Sequence, residues 1–237
     1  SGYTDPISLL DYGSYLYNIG LLDYKTKLYF DQEEDRARRF ILQEKYLEAY
    51  QVMDPLFLGE ETIPSYYTNR TGFKSYYNYL MTQDPPERSY YTSFVQQDHV
   101  RRSLHVGNVE FTISTPKGKV ERSLRADFFK SVKPWVEELL NATENYRILL
   151  FGGQVDILVA TPLTDNFVRS LKWKNAVEFS KAPRKIWRVG KDVAGYVTNA
   201  GSLTILMVRN SGHIVLYDQP DRGFDMINRF TNGKPFA

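Results

Sequence analysis

The residues in this chain best placed to do chemistry are an aspartate and a histidine, each standing just beyond a short apolar run. Asp156 follows Arg147-Ile-Leu-Leu-Phe151 and the pair Gly152-Gly153; His213 follows Leu203–Val208 and the turn Arg209-Asn210-Ser211-Gly212. Apolar runs of this length closed by glycine read as buried strands. Open α/β sheets gather their ligands beyond the carboxyl ends of their strands. A carboxylate and an imidazole meeting there have a specific joint use. The imidazole takes the proton of a hydroxyl that is a poor nucleophile by itself, and the carboxylate fixes the ring tautomer and stabilises the cation that forms. One chain order for this chemistry is nucleophile, acid, histidine, and the acid here precedes the histidine. By position alone the alternatives stay open: an aspartate in an Asx turn and a hydrogen-bonded loop histidine.

The nucleophile is the missing member. A nucleophile elbow reads Gly-x-Ser-x-Gly, and no two of the 15 glycines are four apart. Gly13-Ser14 and Gly201-Ser202 read as turn or cap residues, so the serine of a triad would lie outside this sequence. His99 and His105 do not have the i, i+4 spacing of a helical zinc pair. With no cysteine there is no thiol nucleophile, disulfide or thiolate site, and neither a metal nor a cofactor is expected. Gly152-Gly153 lacks the third glycine of a dinucleotide fingerprint.

The elements that must position the pair come next. Asp35–Met53 reads as a helix with Phe40, Ile41, Leu47 and Tyr50 near one face. Residues 63–87, punctuated by Pro64, Gly72, Pro85 and Pro86, read as irregular with short helices. Ser89–Leu104 suggests another helix, and Val109–Ser114 a strand before a turn at Pro116-Lys117-Gly118. Leu124, Phe128, Val132, Trp135, Val136, Leu139 and Leu140 form a helical stripe that Pro134 should kink or restart. After the strand at Arg147–Phe151, a helix over Pro162–Leu171 is expected, capped by Thr161. Gly195–Thr198 and Leu203–Val208 form a hairpin across Asn199–Ser202. Asp218 is expected to cap a last helix with Phe224, Ile227 and Phe230 inward. Strand, helix, hairpin and helix in alternation make an α/β arrangement.

A net charge of +2 gives weak long-range attraction for nucleic acid or an anionic membrane. The basic stretch Lys172–Lys191, with Trp173 and Trp187, reads as a solvated loop in preference to a stacking platform. No apolar run approaches the length of a membrane span. Aromatics reach 15%, dominated by 18 Tyr, which suits half-wet clefts more than a dry core. Asn69-Arg-Thr71 and Asn141-Ala-Thr143 are glycosylation sequons. The start, Ser1-Gly2-Tyr3, has neither initiator Met nor leader pattern, as expected of a processed chain or one that begins in mid-protein.

Several stretches resemble one family. Gly153-Gln-Val-Asp156-Ile-Leu-Val159 is similar to the acid segment of serine carboxypeptidases, and Ser211-Gly-His213-Ile-Val-Leu-Tyr-Asp-Gln-Pro220 to their histidine segment. Val193-Ala-Gly-Tyr196, Arg222–Phe230, Val100–Gly107 and Ser1–Pro6 resemble further family segments. Asn69-Arg-Thr-Gly-Phe73 matches a glycosylated site of the vitellogenic carboxypeptidase-like branch. The resemblance implies the C-terminal part of an α/β-hydrolase fold with a helical cap insertion. Residues 1–7 would end a core strand segment, 8–118 form the mostly helical cap, and 119–237 the core. It implies Asp156 as triad acid, His213 as general base, and Ile214 lining the pocket for the released side chain. It also implies a secreted or lysosomal setting, a peptide substrate, a serine-bearing N-terminal portion as partner, and room for a homodimer. Leu216 in place of a usual proline, Gly152 in place of a usual Asn, Ser103 in place of a usual Ala and the lack of cysteine depart from the family. An acyltransferase using the same triad, and a non-catalytic secreted binding protein, remain alternatives.

Overall fold

The computed structural model describes residues 2–109, 111, 118–142 and 146–237. The first part is helical: α1 (Pro6–Leu9), α2 (Tyr12–Asn18), α3 (Tyr24–Leu42), α4 (Tyr46–Met53), α5 (Tyr66–Thr71), α6 (Tyr91–Phe94), α7 (Asp98–Leu104), α8 (Lys119–Phe128) and α9 (Lys133–Ala142). Strand β1 (Ile148–Gly153) follows, then α10 (Thr161–Ser170) and α11 (Ala176–Lys181). Strands β2 (Lys185–Val189), β3 (Asp192–Ala200) and β4 (Leu203–Val208) and helices α12 (Val215–Asp218) and α13 (Pro220–Thr231) complete the order. The strand expected at Val109–Ser114 and its turn fall mostly outside the described residues, as does Thr143 of the second sequon.

Helix α3 begins where Asp23 accepts the Thr26 N–H at 2.7 Å, and Thr26, Phe30, Glu34, Ala37 and Ile41 form its buried face. The helix expected over Asp35–Met53 is two helices. Glu44 adopts φ 58°, the Lys45 N–H returns to the Phe40 carbonyl, and α4 folds back along α3. Ile41 and Tyr50 are buried as expected, whereas Leu47 is exposed. The helix expected over Ser89–Leu104 also divides, at Val95–Gln97, where the Gln96 amide binds both main-chain groups of Phe111. Pro134 restarts the later stripe as α9; Leu140 is buried, while Leu124, Phe128, Trp135 and Leu139 are exposed.

The core of the helical part is aromatic, and its tyrosines are drier than expected. Tyr12 stacks on Phe57 at 4.3 Å, and Phe57 meets Tyr67 at 5.2 Å and Tyr76 at 5.5 Å. Each such pair contributes roughly 0.5–1.5 kcal/mol beyond simple burial. Burial is affordable because the hydroxyls are satisfied: Tyr12 donates to the Leu158 carbonyl at 2.7 Å and Tyr15 to the Asp156 carbonyl at 2.8 Å. The loop after the core is closed by a carboxylate. Buried Asp54 accepts the N–H groups of Glu60 (2.7 Å), Glu61 (3.1 Å) and Thr62 (2.9 Å). Arg125 then joins Glu61 (2.5 Å) to Glu121 (2.6 Å), tying this loop to α8.

Among the described residues the strands form one sheet in the order β1-β4-β3-β2. β1 runs parallel to β4, pairing Ile148 with Leu203 and Gly153 with Val208; β3 is antiparallel to both β4 and β2. β4 lies inside the sheet, which explains a run that is apolar at every position but Thr204. The hairpin turns at Gly201-Ser202, where Gly201 has φ 49°.

Three sequence expectations fail here. The basic stretch is not all loop: Lys185–Val189 is strand β2, with the charged side chains outward and Trp187 fully buried, its Nε1–H donating to Asp225 at 2.8 Å. Trp173 is buried too, so neither indole offers a stacking face. Thr161 does not cap α10; Ala160 is the cap residue, and the Thr161 hydroxyl donates to the Gly153 carbonyl at 3.2 Å. The last helix starts at Pro220 without a side-chain cap, and Phe224 (73% exposed) and Ile227 face outward while Gly223 and Met226 are buried. Among the described residues no helix is long and apolar enough to cross a membrane.

Candidate active site

Parallel pairing of β1 with β4 brings the two strand ends side by side. The Gln154 N–H donates to the Val208 carbonyl at 2.9 Å, and the Val155 N–H to the Ser211 carbonyl at 2.8 Å. The approach leaves no room for a side chain at the crossing. A Cβ on Gly153 would lie 2.1 Å from the Gly212 carbonyl oxygen, and one on Gly212 would lie 2.2 Å from the Tyr77 carbonyl oxygen. The histidine loop is held from behind as well. Asp218, expected as a helix cap, instead accepts the Gly212 N–H at 2.6 Å and the Asn78 amide at 3.2 Å. Asn210, at φ 56°, receives Gln219 on its carbonyl and gives its N–H to Gln154.

These constraints place the His213 Nδ1 at 3.0 Å from the Asp156 Oδ2. The carboxylate is fully buried, whereas the imidazole is 21% exposed. Its other oxygen, Oδ1, accepts the Val159 N–H at 3.1 Å. Asp156 thus closes its own turn with one oxygen and orients the ring with the other. An ionised carboxylate only accepts, so Nδ1 carries the hydrogen and Nε2 is the nitrogen with base character. Such a pair can hold the tautomer needed to take a proton at Nε2 and stabilise the imidazolium that results.

His213 borders an open cleft of ≈ 780 Å³, lined also by Tyr77, Asp84, Arg88, Phe151 and Ile214. Ile214 is 41% exposed on that wall, and Leu216 lines it too. The structure thus brings together Asp156, His213 and Ile214. His99 and His105, on and just after α7, do not line the cleft. Sequence reasoning passed over Tyr77, Asp84 and Arg88, which arrive from the irregular helical part; the proline-rich spacing there carried no period to single them out.

The two sequon asparagines differ. Asn69 lies exposed on α5. Asn141 is exposed on α9, but its Nδ2 donates to the Glu137 carbonyl at 2.8 Å and its Oδ1 accepts the Lys174 N–H at 2.9 Å.

The chain belongs to the serine carboxypeptidase family, whose sequence profile matches residues 8–233. The venom serine carboxypeptidase of Apis mellifera is 44% identical, covering 100% of this chain and 50% of that protein. The probable serine carboxypeptidase CPVL of Homo sapiens is 42% identical over 98% of this chain and 49% of that protein. The vitellogenic carboxypeptidase of Aedes aegypti is 37% identical with the same coverage. The chain therefore spans about half the length of the curated relatives it matches. The solved structure of Kex1(delta)p, a prohormone-processing carboxypeptidase from Saccharomyces cerevisiae, superposes with TM-score 0.73 at 17% identity, over 98% of this chain and 53% of that one. The fold is accordingly that of part of an α/β-hydrolase, a mixed sheet with helices.

Proposed function

We propose that this chain is the C-terminal portion of a serine carboxypeptidase, in which Asp156 is the triad acid and His213 the general base. The observation that carries this reading is the 3.0 Å contact from the His213 Nδ1 to a fully buried Asp156 carboxylate at paired strand ends. The cap lies within 8–118 and the core within 119–237; residues 2–5 lead in from a core strand segment, while Pro6 and Ile7 already belong to α1. The nucleophilic serine comes from an N-terminal portion of the same protein, packed on this one. His213 takes the serine proton as the hydroxyl attacks the last peptide bond of a peptide, then gives it to the departing amine. The acyl-enzyme is released when water repeats the sequence, with Asp156 balancing the imidazolium each time. Ile214 lines the pocket for the released residue. A secreted or lysosomal setting suits this role, and Asn69 is the better glycosylation site because its amide makes one long hydrogen bond, to the Pro64 carbonyl at 3.5 Å, whereas both side-chain atoms of Asn141 are engaged at 2.8 and 2.9 Å. A homodimer is compatible with the reading but not required by it.

Two preparations test the proposal. The full-length protein is expected to release the C-terminal residue of a blocked dipeptide and to be labelled by a fluorophosphonate. This chain alone is expected to do neither. Labelling of the isolated chain, or a full-length protein that transfers acyl groups from an acyl-glucose donor but leaves peptides intact, would overturn it. A biological role that survives His213→Ala would point to a binding protein instead.

A further inference from the structure

Four consecutive residues of the helical part run between the acid loop and the histidine loop. The Tyr76 carbonyl accepts the Leu158 N–H at 3.0 Å, and the Tyr77 carbonyl accepts the His213 N–H at 2.7 Å. The Asn78 amide reaches the Asp218 carboxylate that holds Gly212, and the Tyr79 N–H donates to the Val155 carbonyl at 3.0 Å. The outer pair grips the acid loop and the inner pair grips the histidine loop. Tyr77 also makes a second contact: its ring lies against the His213 imidazole, centroids 5.4 Å apart and planes 25° from parallel.

The Tyr77 ring is itself supported. The Arg88 guanidinium stands 4.8 Å from its centroid. Asp84 accepts from Arg88 at 2.5 Å and from the Ser75 hydroxyl at 2.7 Å, and that hydroxyl accepts the Tyr77 N–H at 3.2 Å. One carboxylate thus anchors both the backbone before Tyr77 and the cation over its ring.

We propose that Tyr77 is a positioning residue for His213, and that the segment Tyr76–Tyr79 sets the separation between the imidazole and the Asp156 carboxylate. This rests on His213 being the general base. A main-chain hydrogen bond fixes where the histidine backbone lies but leaves its side-chain torsions open. The Asp156 contact restrains one ring nitrogen. A ring stacked near parallel restrains the plane of the imidazole and so aims Nε2. Misplacing a catalytic atom by about 1 Å costs on the order of a hundredfold in rate. The same ring presents its electron-rich face to the imidazolium formed during turnover.

The test uses the full-length protein with Tyr77→Leu, which keeps the carbonyl and removes the ring, and Tyr77→Phe, which keeps both. Tyr77→Leu is expected to lower kcat on a blocked dipeptide by about 10–100-fold with KM changed less than about threefold, and Tyr77→Phe to stay near wild type. The low-field proton resonance of the His213 Nδ1–H should broaden or move in Tyr77→Leu and persist in Tyr77→Phe. A folded Tyr77→Leu with kcat within about threefold of wild type and an unchanged resonance overturns the proposal. Should that variant not fold, amide exchange on the wild type decides. A His213 amide exchanging at the unprotected rate overturns the clamp, and a slow one supports it. A wild type that cleaves no peptide but whose resonance responds to Tyr77→Leu leaves the positioning intact and removes the peptidase reading.

Discussion

Replacing Glu34 by glutamine should flatten the pH dependence of stability in the helical part. Glu34 projects from α3 toward the start of α2 and is 2% exposed. Its Oε1 accepts the Tyr12 N–H at 2.6 Å and its Oε2 lies 3.3 Å from the Gly13 N–H, the first donors of α2 without an intrahelical partner. Burial pushes the carboxyl from the usual 4.5 up to about 8; the two N–H donors pull it down, and Asp11 and Asp31 add a smaller upward push. Between those values the folded chain holds a proton that the unfolded chain has released. The contribution is therefore full below about pH 4.5 and is lost as pH rises through about 8. Its ceiling is about 5 kcal/mol, the free-energy equivalent of that shift. Glutamine keeps the shape and an acceptor but cannot ionise. The assay is denaturant unfolding of full-length wild type and Glu34→Gln from about pH 5 to 8, taken as a difference so that other titrating groups cancel. The wild type should lose several kcal/mol relative to the variant over that range. Parallel profiles would refute the reasoning. A wild type that gained on the variant with rising pH would mean that the two N–H donors outweigh burial.

Asp156→Asn should leave the full-length protein folded while lowering kcat by roughly 10³–10⁴-fold in peptide hydrolysis, because an amide lets the imidazole take the wrong tautomer. Gly153→Ala should lower activity and the unfolding midpoint together, since its Cβ would lie 2.1 Å from the Gly212 carbonyl oxygen and push the histidine loop away; an unaffected melting curve counts against this crossing. In a glycosylating host, Asn69→Gln should remove one glycan by intact mass. Asn141→Gln should leave the mass of the glycans unchanged, because the Asn141 amide is engaged by Glu137 and the Lys172–Lys174 segment.

What could be read from the sequence followed physical signal strength. β1 and, but for Thr204, β4 are apolar runs ended by turn residues, so the strand ends, and with them Asp156 and His213, were legible. β2 was not: alternation of Lys185, Trp187 and Val189 with Ile186 and Arg188 over five residues looks like a charged loop until Trp187 is seen to be buried. The break at Glu44 carries neither glycine nor proline, the usual marks of a helix end. Phe224 and Ile227 fall at helical spacing, yet the packed face of α13 is the one with Gly223, where Leu216 comes close, and Met226. The role of Tyr77 was illegible because stacking and main-chain clamps leave no periodic trace.

The Asp54 closure has a practical corollary. Members of the family commonly carry disulfides in the cap, as the resemblance implies, whereas at this loop a single carboxylate gathers three backbone N–H groups and an arginine bridges the rim to α8. A fastening of that kind is insensitive to redox conditions but sensitive to salt. Reductants such as dithiothreitol should leave it untouched, whereas raised ionic strength should loosen the arginine bridge.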